Sequence, residues 1–218
     1  MQFIEHTPFI PNWAVIYFIL ALSLFAWIRV SSGSYMFAML QSGLNTNTAQ
    51  RLYREKISNI MHPSFRYNLM FYLTTGVFLL HLQNIYYPQL QFPDKTMIVV
   101  NTVAVFLFFN IKYLLYKIGG FIYKSHTNTS EYLFHSKIMN QILGVFMLPL
   151  GIVMFFTEGF MLHFFAVFGL LILLFISINS AFRGFQINAG KDISIYYLIL
   201  YLCTLEILPV LLLWRIFQ

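Results

Sequence analysis

The chain has 218 residues, of which 59% are hydrophobic, 19% aromatic and only 9% charged. About one quarter of the residues in a soluble domain are charged, and a soluble chain of this length could not cover so much apolar surface. The composition therefore excludes an ordinary soluble domain and indicates a polytopic membrane protein. The formal net charge of +6 does not indicate nucleic acid as a partner, because the basic residues concentrate in three connecting segments.

Six apolar stretches are long enough to cross a bilayer, which requires about 20 mainly apolar residues per helix. Their continuous apolarity predicts helices, since the strands of a membrane barrel would alternate in polarity and be about half as long. We therefore predict an all-α fold, a polytopic membrane helix bundle that forms a single domain over residues 1–218. The six predicted transmembrane spans are residues 12–30, 67–87, 97–117, 138–157, 160–182 and 194–216.

The distribution of basic residues predicts the orientation of these spans. The segments that follow the first, third and fifth spans hold eleven of the 13 Lys and Arg residues, whereas the opposite side holds only Lys95 and Arg215. Basic residues concentrate on the cytoplasmic side of membrane proteins, so we expect both chain termini outside the cytoplasm. Lys112 and Lys117, near the inner end of the third span, are expected to extend towards lipid phosphates.

A short amphipathic helix is predicted on the cytoplasmic side, near residues 48–61, because apolar residues recur there at helical spacing. If this helix lies on the inner leaflet, its basic side chains Arg51, Arg54 and Lys56 would contact anionic lipid, each contributing about 1 kcal/mol. The same apolar face would equally allow the helix to pack beneath the bundle. Both arrangements stay open at this point.

Glu206 is the main candidate for a functional residue, because it lies near the midplane of the sixth predicted span. A carboxyl group at that depth costs about 2.5 kcal/mol or more on insertion and should face the bundle interior. Desolvation disfavours the ionised form, so we expect the neutral acid as the resting form. Its carboxyl group could be a functional one that accepts a proton or coordinates a cargo, or it could stay neutral and make packing hydrogen bonds. Helical spacing places Tyr196 and Cys203 on the same face, and Pro209 predicts a kink and a hinge beside it.

Polar residues in other spans are candidate partners of Glu206. Thr75 lies near the middle of the second span and Asn110 lies slightly inward in the third. Both could face a polar cavity, or they could make the ordinary small-residue contacts of packed membrane helices. Pro149, near the centre of the fourth span, is a second hinge candidate.

The histidines are weak candidates for a metal or haem site. His81 and His163 have different predicted depths, which does not suit a haem held between two helices. The histidines assigned to the cytoplasmic side, His62, His126 and His135, form no closely spaced pair and are expected to be solvated or to cap helices. No nucleotide-binding or hydrolase motif is present, so no cofactor is predicted and an enzyme is disfavoured.

Two segments resemble a known family. The stretch from Tyr201 to Pro209, YLCTLEILP, resembles the closing segment of a Bacteroidota inner-membrane family described as domain of unknown function 4271, and residues 140–149, NQILGVFMLP, are similar to it as well. The resemblance implies a bacterial cytoplasmic membrane, and therefore periplasmic termini, but no assigned reaction. It makes Tyr201 a further candidate beside Glu206.

These features favour a non-enzymatic membrane protein that handles or translocates a small or lipid-linked cargo, with Glu206 as the protonatable group. Two alternatives stay open. The first is an accessory or scaffold subunit of a larger cell-envelope complex, bound to a protein partner or to a second copy of the chain. The second is a haem- or metal-binding membrane protein. Membrane lipid is an expected partner in each case.

Overall fold

A computed structural model describes residues 12–58, 64–86, 94–122 and 126–188. Within these ranges the chain is α-helical apart from short connections, which confirms the all-α part of the predicted fold class. The helices are α1 (Asn12–Leu44), α2 (Thr46–Ser58), α3 (Ser64–Tyr86), α4 (Asp94–Ile122), α5 (His126–Phe156) and α6 (Phe160–Asn188).

Four of the described helices are long and apolar enough to cross a membrane. The membrane-spanning candidates within these helices are Trp13–Gly43, Thr96–Phe121, Thr129–Phe156 and Phe160–Gly184. The helix α3 is not among them, because polar residues such as Asn68, His81 and Gln83 interrupt its apolar sequence. The prediction of several membrane spans is therefore supported for α1, α4, α5 and α6, and the span predicted at 194–216 lies outside the described residues.

The helices are longer than the predicted spans on the side assigned to the cytoplasm. The helix α1 runs on to Leu44 instead of ending near Val30, and α5 begins at His126 instead of near Ile138. Hydropathy detects the apolar part of a helix that lies in hydrocarbon, whereas backbone hydrogen bonds continue the helix into polar sequence. Each of these helices therefore extends beyond the apolar span predicted for it.

The long helix α1 bends at Ser32, whose φ of −149° and ψ of 35° are not helical. Gly33 follows directly, and Ser and Gly pairs are common positions for helix kinks. The hydroxyl group of Tyr67 on α3 donates a hydrogen bond of 3.3 Å to the Ser32 carbonyl. A side chain of α3 therefore satisfies a carbonyl group at the bend.

The helices α3 and α5 form the centre of the bundle, whereas α1, α4 and α6 expose much of their apolar surface. The two central helices approach closely at Gly144 of α5, where an added Cβ atom would lie only 2.6 Å from the Cα atom of Phe71. Small residues allow this kind of backbone approach between membrane helices. The exposed apolar faces of the outer helices fit a surrounding of acyl chains.

The amphipathic helix α2 packs beneath the bundle, which matches one of the two predicted arrangements. Leu52 is buried, and the hydroxyl group of Tyr53 lies 2.5 Å from the Ser130 hydroxyl of α5. Arg51 and Arg54 lie on the exposed side of the helix, so contact of these residues with lipid headgroups stays a prediction. The side chain of Lys56 lies outside the described part of the structure.

Replacing Gly144 with Ala should destabilise the bundle by about 1 to 3 kcal/mol, the usual cost of overpacking. The added methyl group would meet the backbone of α3, which cannot move aside as a flexible side chain can. The measurement is the free energy of unfolding in mixed detergent micelles, followed by circular dichroism.

Gly151→Ala is the matched control on the same helix, because its added Cβ would lie at an ordinary 3.5 Å from the Val77 Cγ1 atom. This variant should be unchanged or more stable by up to about 1 kcal/mol, since Ala favours helix over Gly. Equal unfolding free energies for the two variants would contradict the close approach at Gly144.

Candidate functional site

A cavity of about 310 Å³ lies between α3, α4 and α5. This volume is near the lower end of the range for small-molecule sites in proteins. Its lining includes Leu69, Phe106 and Asn110, which are exposed on the surface of the described bundle. The cavity therefore reaches the outer face of the helices.

One end of the cavity is aromatic. Phe71 of α3 packs against Phe109 of α4 with ring centroids 4.9 Å apart, and Tyr72 packs against Phe106 at 5.3 Å. Both pairs are nearly perpendicular, which is a favourable edge-to-face arrangement. These four rings form an apolar wall towards the middle of the two helices.

The opposite end of the cavity is basic. The Lys112 ammonium nitrogen lies 5.9 Å from the centre of the Tyr116 ring, and the Lys137 ammonium nitrogen lies 5.7 Å from the centre of the Tyr113 ring. A cation near an aromatic face is attracted to the ring quadrupole, so these contacts hold both ammonium groups at this end. Lys112 thus lines a cavity, whereas Lys117 is exposed. The contact of both lysines with lipid phosphates stays a prediction.

Three asparagines, Asn68, Asn110 and Asn140, line the cavity between its two ends. The Asn110 amide donates a hydrogen bond of 2.7 Å to the Phe106 carbonyl and lies 3.5 Å from the Tyr72 hydroxyl group. The predicted candidate Asn110 therefore belongs to this cavity. The asparagines give the cavity polar groups that a purely aliphatic wall would lack.

Thr75 does not line the cavity. Its side chain is buried, and its hydroxyl oxygen has no hydrogen-bond partner among the described residues. The neighbouring Gly76 packs directly against Thr102 of α4, with no room for a Cβ atom. The helices α3 and α4 are therefore closely packed at Gly76, and the role of Thr75 as a partner of Glu206 stays a prediction.

Gln141 of α5 was not among the predicted site residues, yet it is only 1% exposed and connects three helices. Its amide nitrogen lies 2.7 Å from the Ser64 hydroxyl group, 3.1 Å from the Ser64 carbonyl and 2.8 Å from the Asn68 Oδ1 atom. Tyr35 of α1 donates to its carbonyl oxygen at 3.4 Å. A polar amide inside a predicted apolar span was the signal that could have found it.

The prediction that His135 is solvated or caps a helix is wrong. His135 is 3% exposed, and Arg183 of α6, itself 7% exposed, donates to its Nε2 atom at 2.6 Å. A guanidinium group can only donate, so the ring is neutral and carries its proton on Nδ1. Arg183 also donates to the Gly43 carbonyl at 3.4 Å, and the cluster therefore joins α1, α5 and α6.

The two histidines considered for haem or metal have different surroundings. His81 is buried with its ring 4.3 Å from that of Phe155, whereas His163 is exposed and donates to the carbonyl of Gly159 on its own turn at 3.0 Å. Within the described ranges, no three His, Cys, Asp or Glu residues are grouped so that they could hold a metal ion.

The helix α5 stays helical through Pro149, and the hinge role of this residue stays a prediction. The remaining predicted site residues lie outside the described part of the chain. They are Tyr196, Tyr201, Cys203, Glu206 and Pro209.

The family model described as Domain of unknown function (DUF4271) matches residues 14–217 of the chain. No match was found among curated proteins, and none among solved structures. The family match confirms the resemblance carried by residues 140–149 and by the segment from Tyr201 to Pro209. The match covers nearly the whole sequence, and the chain therefore belongs to the family described as Domain of unknown function (DUF4271).

Proposed function

We propose that this protein is a multi-pass protein of the bacterial inner membrane that binds an anionic amphiphile, a molecule with a negatively charged head and an apolar chain. The binding site is the cavity between α3, α4 and α5. One observation carries the proposal: Lys112 and Lys137 line one end of this cavity, and four aromatic rings line the other.

The chemistry of the two ends supports this proposal. An anionic head at the lysine end would gain about 1 kcal/mol from each basic residue near the membrane surface. The cavity holds the head and the first part of the chain. The rest of the chain would continue along α4, where Val103 and Leu107 are about half exposed.

The proposed orientation places the lysine end of the cavity near the inner leaflet, because the connection between α4 and α5 is assigned to the cytoplasmic side. Both termini are then periplasmic. A lipid of the inner leaflet would enter the cavity at Leu69 and Phe106, on its exposed side, without having to cross to the outer leaflet.

The composition of the lining fits the binding of an anionic amphiphile. Within the described residues, the cavity is lined by lysines, asparagines, tyrosines, one serine and apolar side chains, without an acidic residue, a histidine or a cysteine. The cavity therefore supports a carrier or receptor of an amphiphile.

The double variant Lys112→Gln with Lys137→Gln should bind dioleoyl phosphatidylglycerol about 30-fold more weakly than the unmodified protein. Two lost contributions of about 1 kcal/mol each correspond to that factor. Binding is measured by native mass spectrometry of the detergent-solubilised protein, titrated with this lipid and with zwitterionic dioleoyl phosphatidylcholine.

Lys117→Gln is the matched control, because Lys117 is an exposed lysine on the same helix that does not line the cavity. It should bind phosphatidylglycerol within about twofold of the unmodified protein. An equal loss in the control and in the double variant would mean that general surface charge, not the cavity, attracts the lipid.

The second part of the proposal concerns Glu206, which lies outside the described residues. In this proposal its carboxyl group takes up a proton and couples lipid handling to a proton gradient. A mid-membrane carboxyl group is costly enough that a functional role is the usual explanation. The buried hydroxyl group of Thr75, which has no hydrogen-bond partner among the described residues, supports Thr75 as a candidate partner.

Glu206→Gln keeps the size and hydrogen bonding of the side chain but cannot ionise. In proteoliposomes with fluorescent phosphatidylglycerol, a proton gradient should speed transfer of the probe between leaflets for the unmodified protein. The variant should still bind the probe, but it should transfer it at the same rate with and without a proton gradient. If the variant responds to the gradient like the unmodified protein, proton coupling at Glu206 is wrong.

A further inference from the structure

The orientation of the Gln141 amide is determined by its neighbours. A side-chain amide has one oxygen that accepts and one NH₂ group that donates, whereas a backbone carbonyl can only accept. The Ser64 carbonyl lies 3.1 Å from one end of the Gln141 amide, so that end must be the nitrogen. The amide oxygen then faces the Tyr35 hydroxyl group at 3.4 Å.

The Gln141 orientation in turn determines the orientation of Asn68. The Gln141 nitrogen lies 2.8 Å from one end of the Asn68 amide, and two NH₂ groups would repel each other at this distance. The Asn68 oxygen therefore faces Gln141, and its NH₂ group faces away. Asn68 lines the cavity, is 9% exposed, and its NH₂ group has no partner in the described part of the chain.

The Asn68 donors lie between the two ends of the cavity. Phe71, which belongs to the aromatic end, follows Asn68 by about one helical turn on α3, or roughly 5 Å of rise. The ammonium groups of Lys112 and Lys137 are held near Tyr116 and Tyr113 at the other end. The cavity therefore offers, in order, positive charge, amide donors and an apolar wall.

We infer that the cavity selects a glycerophospholipid with an anionic head, through hydrogen bonds from Asn68 to its ester carbonyl groups. In such a lipid the ester carbonyls lie between the phosphate and the acyl chains, which is the same order as the lining of the cavity. This inference rests on the proposed function and names the class of amphiphile that the site takes.

Other anionic amphiphiles lack the matching acceptor. In a polyprenyl phosphate the hydrocarbon chain begins directly after the phosphate oxygen, and in a fatty acid it begins directly after the carboxylate. Either molecule would satisfy the lysines but leave the Asn68 donors unpaired against an apolar chain. An unpaired buried donor is unfavourable, so the cavity binds these molecules less well than an ester lipid.

Gln141 acts as a positioning residue in this selection, since it does not line the cavity. An ionised glutamate at this position has no donor and offers only oxygen acceptors to Asn68, whereas a protonated glutamate can still donate its O–H group to the Asn68 oxygen. The ionised form is therefore the informative one. The Asn68 amide would then turn to donate towards residue 141 and would present its oxygen to the cavity. With an ionised carboxyl group, Gln141→Glu therefore makes Asn68 present an acceptor to the cavity instead of a donor, although residue 141 itself does not line the cavity.

The test compares dioleoyl phosphatidylglycerol with its diether analogue, which has the same head and chains but lacks both carbonyl groups. The purified full-length protein is equilibrated with equal amounts of the two lipids, and the bound ratio is measured by native mass spectrometry. The unmodified protein should favour the diester about three- to tenfold, the range of one or two ordinary hydrogen bonds. Asn68→Leu should bring this ratio close to one, and Gln141→Glu should do the same at a pH at which its carboxyl group is ionised.

The ratio is measured within one sample, so it does not depend on what fraction of a variant is folded. Gln83→Glu is the control for the substitution itself. Gln83 does not line the cavity and pairs with Asn101 through hydrogen bonds of 2.8 and 3.3 Å, so this variant should keep the diester preference.

Equal binding of diester and diether to the unmodified protein, with lysine-dependent binding of both, would overturn the inference and leave the proposed function standing. Absence of lysine-dependent binding of either lipid would overturn both.

Discussion

The close contact of α3 and α5 at Gly144 is the constraint on which the candidate site depends. Gln141 lies three residues before Gly144, on nearly the same face of α5, and its side chain reaches α3 only because the two backbones lie so close together. A side chain at position 144 would separate the helices and lengthen the bonds of 2.7 to 3.1 Å that Gln141 makes to Ser64 and Asn68. A glycine that does not line the cavity therefore controls which end of an amide faces into it.

Polar side chains also fix the positions of the outer helices. A buried polar group that loses its hydrogen bond has no water to replace it, so a displaced helix would leave the buried groups unpaired. Tyr35 joins α1 to the Gln141 network, and Arg183 joins α6 to His135 and to the Gly43 carbonyl of α1. Apolar packing alone would specify these positions weakly, because lipid tails are as apolar as the helices they touch. The polar contacts therefore select one arrangement among several of similar apolar burial.

The sequence was sufficient to predict the helical membrane fold and the approximate position of each described helix, because these depend on the length and apolarity of local segments. It also pointed to Asn110, since an amide in an apolar span is conspicuous. The sequence did not predict the cavity or the roles of Gln141, His135 and Arg183. Those roles depend on which helix faces lie together, and hydropathy contains no information about pairing. The sequence places Arg183 only among the basic residues that follow the fifth span. Its buried partner, His135, lies 48 residues away in the chain, so no local pattern indicates that the two side chains meet.

A cavity that opens into a bilayer discriminates between ligands differently from one that opens into water. A lipid chain that moves from the bilayer onto the wall of Phe71 and Phe109 exchanges one apolar surrounding for another, so the hydrophobic effect contributes little to its binding. The aromatic wall therefore admits many lipids and distinguishes few of them. Charge and hydrogen bonding remain as the means of selection, and both are stronger in a medium of low dielectric constant than in water. Discrimination among the lipids of the bilayer thus falls to Lys112, Lys137 and Asn68, which are among the few polar side chains in a lining that is otherwise largely aromatic and aliphatic.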